Sequence, residues 1–102
     1  MQATRLMPLI AILLLTPSVA AAQSRLFSFE RGVDRPGHAY RVLQTPDAAH
    51  CSLACQAENR CHAWTYVIAE ASNRWGTPSR CWLKNTVPRA ANNDCCISGV
   101  RR

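Results

Sequence analysis

Hydrophobic and polar residues change rhythm several times along this 102-residue chain. The unbroken apolar run LMPLIAILLL (6–15), interrupted only by Pro8, comes first. LFSFER (26–31) then alternates apolar and polar residues, the period of a strand. GVDRPGHAY (32–40) carries two glycines and a proline and predicts a turn. YRVLQ (40–44) resumes the alternation and predicts a second short strand. Thr45 as N-cap and Pro46 as first helical residue then predict a helix start. Asp47 suits the positive end of the helix dipole. The run DAAHCSLACQAEN (47–59) holds good helix formers and no breaker before Asn59. Within it Cys51 and Cys55 stand at i and i+4, on one face, flanked by Ala48 and Glu58.

CHAWTYVI (61–68) is rich in aromatic and β-branched residues and predicts a strand. The polar loop EASNRWGTPS (70–79) leads to a strand RCWLK (80–84). After NTVPRAANND (85–94), CCISGV (95–100) predicts the last strand. Strands, one helix and strands again make an α+β domain, a single helix packed on a small antiparallel sheet.

The first apolar run is too short for a bilayer, which takes roughly 20 apolar residues. Arg5 precedes it and small residues, VAAAQS, follow. Residues 1–22 therefore read as a secretory signal peptide, cut after Ala22, with Ala20 as a second site. The domain is 23–102, exported to a periplasm or secreted, with no transmembrane anchor after cleavage. Its six cysteines then meet an oxidising space, where they read as a disulfide framework. A domain this small also needs covalent staples to supplement its core.

Without Arg5, the twelve Lys and Arg fall to eleven, against six Asp and Glu. A positive balance favours anionic partners such as acidic glycans, phospholipid head groups or nucleic acid. The arginines are dispersed, however, and the only contiguous pair is Arg101-Arg102. No basic block marks a nucleic-acid patch, so nucleic acid is not an expected partner.

Cysteine clusters also serve zinc and redox chemistry. Zinc knuckles pair two C-x2-4-C turns. Here Cys51 and Cys55 lie on a helix, Cys81 is alone, and the adjacent Cys95-Cys96 make a poor tetrahedral chelate. No C-x-x-C occurs to support a thioredoxin-type site. His38, His50 and His62 are scattered, and no nucleophile elbow or paired carboxylates occur. No catalytic residue, metal ligand or cofactor is expected. Disulfides remain, with fifteen possible pairings.

The spacing C-x3-C-x5-C-x19-C (Cys51, Cys55, Cys61, Cys81), the aromatics of HAWTY after the third cysteine and CWLK at the fourth resemble the PAN/apple domain family. FERGVDRPGHAYR and CCISGV resemble the ends of its bacterial members, so the resemblance spans about Phe27 to Val100. It implies a helix cradled by a small curved antiparallel sheet and stapled by two disulfides, Cys51–Cys81 and Cys55–Cys61. Closing those two loops would together contribute roughly 6 kcal/mol in the chain-entropy model. Family members of the apple type add a bridge from an N-terminal cysteine that this chain lacks before Cys51. Cys95 and Cys96 are left to bond each other, vicinally, or a partner chain.

The resemblance also implies a non-catalytic binding module for carbohydrate or protein ligands, with an extracellular or envelope protein or a glycan as partner. Alternation groups Cys61, Ala63, Thr65 and Val67 on one side of their strand. Trp64 and Tyr66, with Trp82 and Lys84 on the next strand, are expected on the side away from the cysteines. There they either grip a ligand or close a second small core. Trp75, beside Arg74 and Arg80, is the expected exposed aromatic. The alternative function is a cationic secreted inhibitor or antimicrobial factor acting on anionic membranes or enzymes.

Overall fold

The computed structural model of the protein describes residues 26–69 and 78–102. The expected signal peptide, with its cleavage sites, lies outside the described residues, as do Arg74 and Trp75. Among the described residues there are five strands: β1 (Glu30–Asp34), β2 (Ala39–Leu43), β3 (Ala63–Val67), β4 (Arg80–Lys84) and β5 (Ala91–Val100). They form one antiparallel sheet in the order β1-β5-β3-β4-β2, with β3 in the middle. The helix α1 (Ala48–Gln56) follows β2 and packs on β3 and β4. This is the disulfide-stapled α+β arrangement expected, one helix on a small antiparallel sheet.

The helix begins two residues later than Thr45 and Pro46 suggest. Asp47 is the N-cap, its Oδ1 accepting the backbone N–H of His50 at 2.8 Å and meeting the His50 ring Nδ1 at 2.7 Å. A carboxylate is the better acceptor for the orphan N–H groups of the first turn. Thr45 instead donates its hydroxyl to the Asp47 carbonyl at 3.1 Å and so braces the residue that caps. β1 also starts later than the alternation of LFSFER suggests, and β5 begins four residues before Cys95.

Nine residues make a helix that is marginal on its own. Its buried stripe, Ala48, Cys51, Ser52 and Cys55, matches the face read from the sequence. Cys51 is bonded to Cys81 in β4, and Cys55 to Cys61 in the turn before β3, with Cα separations of 5.4 and 5.2 Å. The far end is capped from the last residues of the chain. The Arg101 guanidinium donates to the Cys55, Glu58 and Cys61 carbonyls at 3.2, 3.2 and 2.9 Å. Two of these carbonyls also accept backbone N–H groups at the helix exit, Cys55 from Glu58 at 3.1 Å and Glu58 from Cys61 at 3.0 Å, so the guanidinium adds a second bond to each.

Phe27, Trp64, Tyr66 and Leu83 fill the space between sheet and helix around the two disulfides. Full burial of each large side chain contributes about 1.5–3 kcal/mol. Gly99 of β5 leaves room for the Trp64 ring. A Cβ at that position would lie 2.5 Å from Trp64 Cε2 and Nε1 and 2.6 Å from the Ser28 carbonyl oxygen. Gly99→Ala is therefore expected to destabilise the oxidised domain by about 1–3 kcal/mol, read as a fall in Tm of roughly 4–8 °C per kcal/mol by thermal circular dichroism. An unchanged Tm would contradict this packing of Trp64.

Candidate functional site

Register decides which side chains share a face. Tyr66 lies opposite Cys81, and Trp64 opposite Leu83. Both aromatics therefore stand on the helix side of the sheet, together with the Cys51–Cys81 disulfide. Trp64 is fully buried and meets the Phe29 ring edge-on, centroids 5.5 Å apart. The Tyr66 hydroxyl donates to the Pro46 carbonyl at 3.1 Å. The structure thus reverses the face expected for Trp64 and Tyr66 and places both in the core.

The reason is local. Cys61 precedes β3 and sits in a turn tied to the helix by the short Cys55–Cys61 link. Its direction does not carry into the alternation that starts at Ala63. Counting from Cys81, which lies inside β4, gives the right answer. Cys81 and Leu83 point to the helix and are fully buried, while Trp82 and Lys84 point away. Thr65 pairs with Trp82 and Ser98, and Val67 with Arg80 and Cys96, so Thr65 and Val67 share that outer face.

Across the outer face runs the segment between β1 and β2. Two left-handed residues, Gly37 (φ 91°) and His38 (φ 63°), turn it back into β2. Glycine adopts this conformation without strain, and histidine tolerates it. Arg35 pins the segment with a two-pronged bond to Glu30, both contacts at 2.9 Å, and with a 2.8 Å bond to the Pro88 carbonyl. Lys84 pins it from the sheet, its ammonium donating to the Arg35 carbonyl.

Between segment and sheet lies a cleft of about 320 Å³, within the size range of small-molecule pockets. The segment contributes Asp34, Pro36, Gly37 and Ala39 at the end of the turn. The sheet contributes Thr65, Val67, Trp82, Lys84, Cys95 and Cys96. The walls are chiefly apolar. Of the residues expected to meet a ligand, Trp82 and Lys84 line this cleft, while Arg80 sits partly exposed at the end of β4. Asp34, Thr65 and Val67 were not singled out by sequence reasoning. Parity counted from Cys81 would have found the last two. Asp34 lies in a stretch legible only as a turn.

The cleft holds two charges of opposite sign. Lys84 is only 3 % exposed. Its burial pushes the ammonium below the usual 10.5, the Asp34 carboxylate acts against that fall, and the Arg35 guanidinium adds to it. Among the described residues no hydrogen bond is made to the Asp34 carboxylate. The ammonium is thus committed to Arg35, while the carboxylate is left as an acceptor facing apolar walls.

The remaining wall is formed by Cys95 and Cys96, which the structure joins to each other. Neighbours in a regular strand point to opposite faces, yet both of these line the cleft. A bulge makes this possible. β1 advances from Arg31 to Val33 while β5 advances from Asn92 to Ile97. Gly32, at φ 71°, sits opposite the surplus residues. Asp34, Cys95 and Cys96 bring their ligand atoms within 4.8 Å of one another, but disulfide sulfurs offer no thiolate to a metal.

A family model described as PAN domain matches residues 33–84, half of the chain. The chain belongs to the PAN domain family. PAN domains are in general non-catalytic modules that bind proteins or carbohydrates. The matched segment contains β2, the helix, β3, β4 and all four cysteines of the two helix staples. β5, with Cys95 and Cys96, lies beyond it, so the cleft joins a PAN scaffold to a wall outside the matched residues. No curated protein matches the chain.

Because burial lowers the folded-state value of Lys84 while the unfolded chain titrates near 10.5, the unfolded chain holds that proton to higher pH. Lys84 burial opposes folding while the group is charged. Stability should therefore rise with pH between the folded value and 10.5. Urea unfolding of this protein and of Lys84→Met across that range is expected to show the rise in their difference. A difference independent of pH would contradict the assigned burial.

Proposed function

We propose that this PAN domain is an exported, non-catalytic binding module whose outer-face cleft takes a neutral carbohydrate. The observation that carries the reading is the chemistry of the cleft. One indole, apolar walls, one unpaired carboxylate and one internally bonded ammonium give a site with no net charge. A sugar ring presents an apolar face to stack on Trp82 and hydroxyls to donate to Asp34. An acidic glycan would meet the carboxylate, and among the described residues the cleft offers it no cation besides the committed Lys84. A lysine or arginine side chain would be repelled by Lys84. Export is supported by the disulfide-rich PAN domain and by the leader-like residues 1–22. Among the described residues no helix is long and apolar enough to cross a membrane.

The test is calorimetric titration of the oxidised protein with neutral hexose and N-acetylhexosamine oligosaccharides, beside sulfated glycans and anionic liposomes. Binding of a neutral oligosaccharide, insensitive to salt and weakened at least about tenfold by Trp82→Ala, is expected. Liposome leakage without oligosaccharide binding would overturn the reading in favour of a cationic, membrane-active factor.

A further inference from the structure

The cleft has a wall that chemistry can change. Cys96 is 1 % exposed, whereas Cys95 is partly open to solvent. The backbone of both is held by β3. Cys96 pairs with Val67, and the Ile68 N–H donates to the Cys95 carbonyl at 2.9 Å. The strand therefore cannot shift freely when the sulfurs separate, and the side chains must take up the change.

We propose that the Cys95–Cys96 disulfide is a redox gate on the cleft, oxidised when ligand binds and closed to ligand when reduced. This rests on the carbohydrate reading of the cleft given above. A bonded sulfur pair sits about 2.05 Å apart, and unbonded sulfurs need well over that distance. Cys96 is enclosed, so the room lies on the cleft side, and the freed Cys95 thiol moves into the mouth. The second effect is electronic. Disulfide sulfurs have no hydrogen to donate, which leaves the Asp34 carboxylate for ligand. Reduction gives each sulfur a weak S–H donor, and because both sulfurs start within 4.8 Å of the carboxylate, the thiols compete for the acceptor that a sugar hydroxyl would use.

The chemistry is thiol–disulfide exchange with a dithiol reductant. Its thiolate attacks the accessible Cys95 Sγ. The Cys95–Cys96 bond breaks with its electron pair on Cys96 Sγ, which takes up a proton. The second thiol of the reductant then attacks the mixed disulfide, releasing Cys95 as a thiol. The reductant leaves as its own disulfide, having supplied two electrons. Cys51, Cys55, Cys61 and Cys81 are all fully buried, so the vicinal pair is reduced first. By linkage, a ligand that favours the oxidised state must slow the reduction.

The oxidised protein is treated with limiting dithiothreitol, its bonds are mapped by non-reducing peptide mass spectrometry, and its Thr65 and Val67 methyl and Trp82 indole NMR signals are recorded. Selective loss of the Cys95–Cys96 bond, movement of those three signals, and an at least tenfold weaker oligosaccharide affinity are expected. Cys95→Ser/Cys96→Ser should reproduce the reduced spectrum and affinity. Saturating oligosaccharide should slow reduction by a similar factor. Unmoved cleft signals on reduction, equal affinity in both states, or a mapped bond from Cys95 or Cys96 to another chain would each overturn the gate. An oxidised protein that binds no oligosaccharide would sink the carbohydrate reading, while the methyl and indole signals would still decide whether the disulfide shapes the cleft.

Discussion

Two covalent bonds hold a nine-residue helix against one side of the sheet, and the rest of the molecule follows from that attachment. A helix this short has little stability of its own. Its apolar stripe consists of small residues and cysteines rather than large hydrophobes, so ordinary packing alone would hold it weakly. The Cys51–Cys81 bond fixes the helix to β4, and the Cys55–Cys61 bond fixes its exit to the turn that starts β3. Once the helix is placed, the inner face of the sheet must supply the bulk that the helix lacks. Trp64, Tyr66, Leu83 and Phe27 are drawn there. Trp82 is left on the other face, and the cleft is built around it.

Five of the positive charges among the described residues are taken up by this architecture. Arg35 is bonded to Glu30 and Pro88, Arg41 pairs with Glu58, and Arg60 stacks over the Tyr40 ring at 3.9 Å. Arg101 caps the helix exit and lies over Phe27. Lys84 holds the β1–β2 segment. A composition that points to anionic partners therefore describes, at these positions, fasteners between backbone segments. The carboxylate of Asp34 is the group left open in the cleft, which is why a neutral, hydroxyl-bearing ligand suits the site better than an acidic one.

The helix and β4 were legible in the sequence because each is set by nearby residues, whereas the pairing of the two staples, one of them spanning 30 residues, came from the resemblance to the PAN/apple family. The i, i+4 cysteines define a helix face, and RCWLK alternates within a single strand. The face of β3 was not legible from Cys61, whose direction is set by a disulfide turn rather than by the pleat. Asp47 displaced Thr45 as the cap in keeping with the higher N-cap preference of aspartate, a ranking that the pairing of Thr45 with Pro46 obscured. The bulge opposite Gly32 escaped notice for a different reason. It depends on the pairing of β1 with β5, segments far apart in the chain, and pairing of that kind leaves no local pattern. The wall of Cys95 and Cys96 is built on it.

The central claim is that ligand meets the face of the sheet opposite the helix. Intermolecular nuclear Overhauser effects between a neutral oligosaccharide and the oxidised, isotopically labelled protein test it most directly. Contacts from sugar protons to the Trp82 ring and to the Thr65 and Val67 methyl groups are predicted. Contacts confined to the helix or to the β2 edge would contradict the account.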